Sequence, residues 1–371
     1  MRQFLVLLIF LAALFLKANH IPSGGYITYK YAGQSAGNLP QYIIEVGLVK
    51  NNNTLYTQIE DNLRLLIYSD CYGLRNNIFL NKIIAPATLA SPNDTTGGFE
   101  MSSAYNCLTI DFSMHIYRDT ITLQGTCSSY IFSAHINCCR ENFDNLLPNP
   151  LLGLFFYAKL DNTKGPVSLP TPDRNKFTGK YCLHSKSTLM HYIDDPDGGI
   201  PIYSSQSAIK SYDNPSSLTY LNAYYASNYT STAPLPVDAG TTYKVNPISG
   251  KVSFQPSQIG SYSLAFGYTE MRVDTVSQSI YPAGEMHIET FILTDNSCGS
   301  ISNGPTLSFA DQDSTYYRCS DTTIILRTSS KIDSTTFSSN FSEFRLLGNS
   351  NSYPVKSVKV INNDSLSITL F

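Results

Sequence analysis

The chain has 371 residues, a formal net charge of −3, 14% charged residues and no tryptophan. That mildly acidic balance disfavours a nucleic-acid partner, which needs a basic surface. The charged fraction is well below the roughly 25% of average proteins. With Tyr, Ser, Thr and Asn abundant, it excludes coiled coils and helical bundles and favours sheets with neutral, polar outer faces.

Phe4 to Leu16 form an apolar run behind Met1-Arg2 and end in Leu16-Lys17-Ala18. The run predicts a signal peptide over residues 1–18, cleaved before Asn19. A membrane span needs about 20 apolar residues. The mature chain is therefore expected to be exported, secreted or held at the cell surface, with no membrane span after cleavage.

The cysteines of an exported chain are expected to be oxidised into disulfides. Cys71, Cys107, Cys127, Cys138 and Cys139 fall in the first part, Cys182 stands alone, and Cys298 and Cys319 lie near the end. The pairing stays open, but the first group is odd in number, which predicts a bridge from one of its members to Cys182. Vicinal Cys138 and Cys139 are poorly placed to bond each other, since the two Cβ atoms of a disulfide approach from separate segments. A metal or redox site is the alternative, and no Cys-x-x-Cys pair supports it.

Taken in order, Tyr26–Tyr31, Gln41–Val49, Leu63–Tyr68, Ile116–Leu123 and Tyr130–Ile136 read as strands of a first β-sandwich spanning 19–145. Leu146-Leu147-Pro148-Asn149-Pro150 reads as a boundary, because proline cannot donate to a ladder. Gly153–Leu160 then opens a second sandwich, 146–296, whose last strand is Met286–Leu293. Inside it lie an acidic turn, Asp194-Asp195-Pro196-Asp197-Gly198-Gly199, and a hairpin centred on Asn246-Pro247-Ile248-Ser249-Gly250. A strand starting at Gly260 follows. From Cys298 a third sandwich, 297–371, is expected to be incomplete, with strands at Thr322–Leu326, Ser357–Ile361 and Ser365–Leu370.

Several of these pieces resemble the N-terminal region of large exported Bacteroidota surface proteins, the gliding-motility-associated C-terminal-domain protein family. They are Asn19-His20-Ile21 to Tyr29, Tyr68-Ser69-Asp70-Cys71, Cys138-Cys139-Arg140-Glu141-Asn142, Tyr181-Cys182, Asp195-Pro196-Asp197-Gly198, and Asn246 to Pro256 with Gly260-Ser261-Tyr262. The resemblance implies all-β architecture, with tandem immunoglobulin- or cadherin-like sandwiches used in adhesion or surface assembly. Two departures stand out: Gly199 occupies a position where the family usually has Asp, and no second cysteine lies within 183–190.

Asp194, Asp195 and Asp197 put three carboxylates on one turn, a possible calcium site because calcium takes several hard oxygens. The alternative is an ordinary turn whose Asp side chains bond local amides. His184, Ser185, Ser187 and His191 supply residue types of a nucleophilic triad without a nucleophile elbow around either serine. Tyr220, Tyr224, Tyr225 and Tyr229 are either packed or a ligand-facing cluster, since tyrosine suits both strands and contacts to sugars or proteins. Without a catalytic constellation the expected role is a non-catalytic surface protein whose partner is another surface protein or a glycan. A carbohydrate-binding module or an accessory region of a polysaccharide-degrading protein is the second expectation.

Overall fold

A computed structural model describes residues 22–296, except 53–59, 74, 87–98, 101–111, 137–141, 149–152, 175–176, 191–192, 215–218 and 275. Beyond these it describes only strands of the last segment. The expected signal peptide and Cys107, Cys138, Cys139, Cys298 and Cys319 lie outside the described residues. The described elements are all strands, so the fold is all-β, as the composition predicts. Among the described residues no helix is long and apolar enough to cross a membrane.

The chain divides into two units, Met1–Cys298 and Gly299–Phe371. The first part of the larger unit contributes β1 (Pro22–Gln34), β2 (Pro40–Asn51), β3 (Asn62–Ser69), β4 (Arg75–Ile83), β5 (Phe99–Glu100), β6 (Phe112–Thr122), β7 (Tyr130–Ile136) and β8 (Leu154–Leu160). Short strands follow: β9 (Thr171–Pro172), β10 (Gly179–Cys182), β11 (Ser187–Met190), β12 (Ile193–Asp194), β13 (Ile200–Gln206), β14 (Ile209–Asn214), β15 (Thr219–Asn222), β16 (Lys244–Val245) and β17 (Lys251–Phe254). Two long strands, β18 (Gly260–Val273) and β19 (Ile280–Asp295), end the unit.

The main sheet runs β1-β2-β6-β4-β3-β7-β8-β19-β18-β13, and β1 also pairs β19, so the path from β1 to β19 returns to its start. Closure of this kind removes the free edges of the participating strands. It is built from both segments expected to be separate sandwiches. β8 joins β7 over its whole length and meets β19 at Gly284–Met286. The expected division at 145/146 is thus replaced by one compact unit.

The supposed boundary is in fact stitched to the sheet. Asn145 is fully buried, and its amide Nδ2 donates to the Pro234 and Ser263 carbonyls at 2.8 and 2.7 Å. Its Oδ1 accepts from the Ser263 amide at 3.0 Å, while Asp144 Oδ2 accepts from the Ser261 amide at 2.7 Å. Leu146 forms a bridge to Tyr225.

Burial follows from what covers each strand. β3 alternates, with Leu63, Leu65 and Ile67 inward, the signature of a sheet wet on one side. Leu154–Ala158 of β8 are buried throughout because both faces are covered. On the inner side Phe156 joins the main core with Tyr29, Tyr42 and Phe132, and on the outer side Phe155 and Tyr157 form a second cluster with Ile131 and Ile209. The segment through Leu169 and Phe177 covers β1: Thr28 Oγ1 donates to the Leu169 and Pro170 carbonyls, and Phe177 lies against Tyr26. Gly47, opposite Tyr26, is required here, since a Cβ would fall 2.3 Å from the Tyr26 ring. That ring hydroxyl donates to Glu45, which is also paired with Arg118.

The smaller unit is a five-stranded sheet, in the order β20 (Leu307–Phe309), β21 (Thr323–Thr328), β24 (Ser365–Leu370), β23 (Asn351–Asn362), β22 (Arg345–Gly348). The three strands expected in 297–371 fall on β21, β23 and β24.

Candidate functional site

The branch β19-β18-β13 leaves the closed path and presents two faces. Register assigns the side chains. Ile200 pairs with Met271, Ile202 with Thr269, and Val273 with Ile280, so all of these share one face. Continuing across the same face, Glu285 lies opposite Lys159 on β8, and His287 follows two residues on. The intervening residues, Tyr203 and Tyr268, point to the main core and meet edge to face.

The first of these faces is covered only in part. The β14–β15 hairpin lays Tyr220 flat on Tyr157, with centroids 4.5 Å apart and planes 7° apart, and His287 lies 5.6 Å from Tyr157 on a nearly parallel plane. His287 Nδ1 lies 2.7 Å from Gln206 Oε1 and its Nε2 3.1 Å from Glu289 Oε1. The Tyr157 hydroxyl donates to Glu285 Oε1 at 2.6 Å, and Lys159 pairs with Glu285 Oε2 at 2.8 Å. Burial, followed by the Glu285 charge, raises the Tyr157 hydroxyl well above the usual phenol range, so it stays a donor. Beyond the hairpin the face is bare: Ile200, Ile202, Val273 and Ile280 are between 43% and 62% exposed.

The four tyrosines of the expected cluster therefore part company. Tyr220 is a packing residue, and Tyr225 and Tyr229 are partly buried against the main core. Tyr224 is exposed, with Lys210 Nζ 4.2 Å from its ring centroid. Tyr220→Ala should cost about 2 kcal/mol, the packing of one aromatic ring plus its stacking. Amide exchange in β14 and β15 checks it: exchange should rise there and not in β1 or β2.

On the core side lies the acidic turn. Asp197 Oδ2 accepts from the Ser168 amide at 2.5 Å and from Arg272 Nη2 at 2.6 Å, and the Asp197 amide donates to Asp195 Oδ1 at 2.9 Å. Arg272 also donates to Glu270 Oε1 and to the Pro166 carbonyl. The side chain of Asp194 lies outside the described residues; its backbone pairs with Thr171. Asp197 is thus held by a guanidinium, while the expected calcium set also includes Asp194, whose side chain lies outside the described residues. Among the described residues no group of three or more His, Cys, Asp or Glu is arranged to hold a metal ion. The turn is an ionic clamp across β18. Gly199 belongs to it, because a Cβ there would meet Glu270 Cγ at 2.4 Å.

His184 Nδ1 lies 2.7 Å from Asp238 Oδ1, and Gln255 Nε2 donates to Asp238 Oδ2, an oriented surface pair. Neither nearby serine joins it: Ser185 Oγ donates to the Leu183 carbonyl and Ser187 Oγ to that of Ser185. Cys71 and Cys127 form a disulfide, and Cys182 is disulfide-bonded to a cysteine outside the described residues.

The bare face and the Glu270–Arg272 pair were missed in sequence reading. Their signal was present as alternation in Ile200-Pro201-Ile202 and in Glu270-Met271-Arg272, but alternation alone does not say which side a neighbour covers. Comparison with known proteins finds no matching family model, no matching curated protein and no matching solved structure.

Proposed function

We propose that this chain is an exported, non-catalytic β-protein that adheres through the bare face of β13, β18 and β19. The observation that carries the reading is the contiguous set Ile200, Ile202, Val273 and Ile280, exposed on one sheet face. Contiguous exposed apolar surface on a well-packed protein marks a contact surface. Its lining is aliphatic, which suits a protein partner better than a sugar, since sugars favour flat rings. The sheet edge itself is a poor docking point: Pro201 has no amide proton and the Tyr203 amide is already bonded to the Pro247 carbonyl. The Cys71–Cys127 disulfide supports an oxidising location outside the cell. Tandem immunoglobulin- or cadherin-like modules and a link to gliding belong to the same reading, on the resemblance in the sequence.

The test displays the full chain on a non-adherent bacterium and measures retention on protein-coated glass, on glycan-coated glass and between the cells themselves. Retention on protein or between cells should fall at least tenfold in an Ile200→Asp/Ile202→Asp variant, whose substitutions sit on the solvent side of the sheet. Equal retention by the variant would remove this face from the reading. Retention on glycans alone, lost in Tyr224→Ala, would move the function to carbohydrate binding.

A further inference from the structure

The core side of the same branch holds polar atoms that the ionic clamp leaves unanswered. Glu270 is fully buried; Arg272 occupies its Oε1, while its Oε2 has no hydrogen-bond partner. Asp195 Oδ2 and the hydroxyl of fully buried Tyr268 are also buried without partners. The groups facing this spot are Arg272 and Tyr268 from β18, Asp195 and Asp197 from the turn, and Tyr29 from β1. Tyr203 of β13 faces Asp195, and Tyr42 of β2 faces Asp197. These groups hold one cation, Arg272, against three carboxylates, so full ionisation leaves uncompensated negative charge in a cluster whose Glu270 is fully buried.

We propose that Glu270 is a proton-held latch: carrying its proton, it keeps the turn Asp195–Gly199 and the edge strand β13 seated on β18, and losing that proton loosens both. The balance of groups supports it. A proton on Oε2 removes one of the excess charges and adds a donor to a cluster rich in acceptors, while Arg272 keeps its bond to Oε1. The backbone of Glu270 pairs with Pro201 of β13 and its side chain lies against Gly199 of the turn, so this residue adjoins both elements it would hold. Burial, opposed by Arg272 and assisted by Asp195 and Asp197, pushes the Glu270 carboxyl up to about 7. Since the folded value is raised, the stabilisation is fully present below the ordinary carboxylate range and is lost as pH rises through about 7.

The experiment uses the full chain with ¹³C-labelled glutamate side chains, with Glu270→Gln to assign the resonance and to mimic the protonated form. The Glu270 carboxyl should titrate near neutrality. Amide exchange over 193–206, corrected for intrinsic chemistry, should be about tenfold or more faster at pH 9 in the wild type than in Glu270→Gln, one pKa unit being worth a factor of ten. At pH 5 the two should coincide. A midpoint within the ordinary carboxylate range overturns the latch, as does the same pH response in both proteins. Should Glu270→Gln fail to fold, Glu270→Asp assigns the resonance, and a wild-type midpoint within the ordinary carboxylate range still overturns the latch.

Discussion

Asn145→Asp is expected to destabilise the larger unit by about 3–5 kcal/mol at pH 7, the cost typical of an uncompensated buried charge. Asn145 is fully buried, and its amide nitrogen serves two carbonyls, those of Pro234 and Ser263. An aspartate of the same shape loses both donors and directs a negative oxygen at those carbonyls. The Ser263 amide would still be satisfied, so the change isolates the donor side of the clip. Burial and the facing carbonyls raise the introduced carboxyl, so the deficit should shrink as pH falls below its folded value and widen as pH rises. Urea denaturation at pH 4 and pH 7 reads both. A deficit below about 0.5 kcal/mol at pH 7, within the range of an ordinary surface change, would mean that this segment is a linker after all.

Loss of the Cys71–Cys127 disulfide ranks beside it. The bridge spans 56 residues in sequence, and loop-closure entropy on that scale corresponds to about 4 kcal/mol. Cys127 is itself buried beside Ser69, so replacement by serine places a second hydroxyl in the same pocket. The Cys71→Ser/Cys127→Ser variant should melt on the order of 10 °C below the wild type by calorimetry. An unchanged transition would show that the crosslink constrains little in the unfolded chain. The bridge ties the end of β3 to the turn before β7, two strands already paired, which is why the effect falls on the unfolded ensemble more than on native contacts.

Several local elements were legible in the sequence because their causes are local. The Asn246–Gly250 hairpin is one: Asn246 Oδ1 accepts from the amides of Ile248 and Ser249, Gly250 takes a positive φ of 66°, and Val245 pairs with Val252. Alternation likewise marked Leu63–Tyr68, which lies within β3, and Tyr130–Ile136, which is β7. Strands such as β4 and β13 were missed, since Asn-rich Arg75–Ile83 and proline-bearing Ile200–Gln206 carry weak strand signatures and are held by their neighbours.

What the sequence determined by itself was the all-β class, local turns such as Asn246–Gly250 and the oxidised state of Cys71, Cys127 and Cys182, each set by residue type, short-range hydrogen bonding or spacing. The tertiary structure decided the rest. Asn145 reads as the end of a domain and is a buried clip; Asp197 reads as either a turn residue or a calcium ligand and answers Arg272, 75 residues further along. Tyr220 reads as either packed or ligand-facing, and it stacks on Tyr157. In each case the side chain's role depends on a partner brought in by long-range strand pairing. The period of a strand says which residues share a face, and only the assembled sheet says what, if anything, covers it.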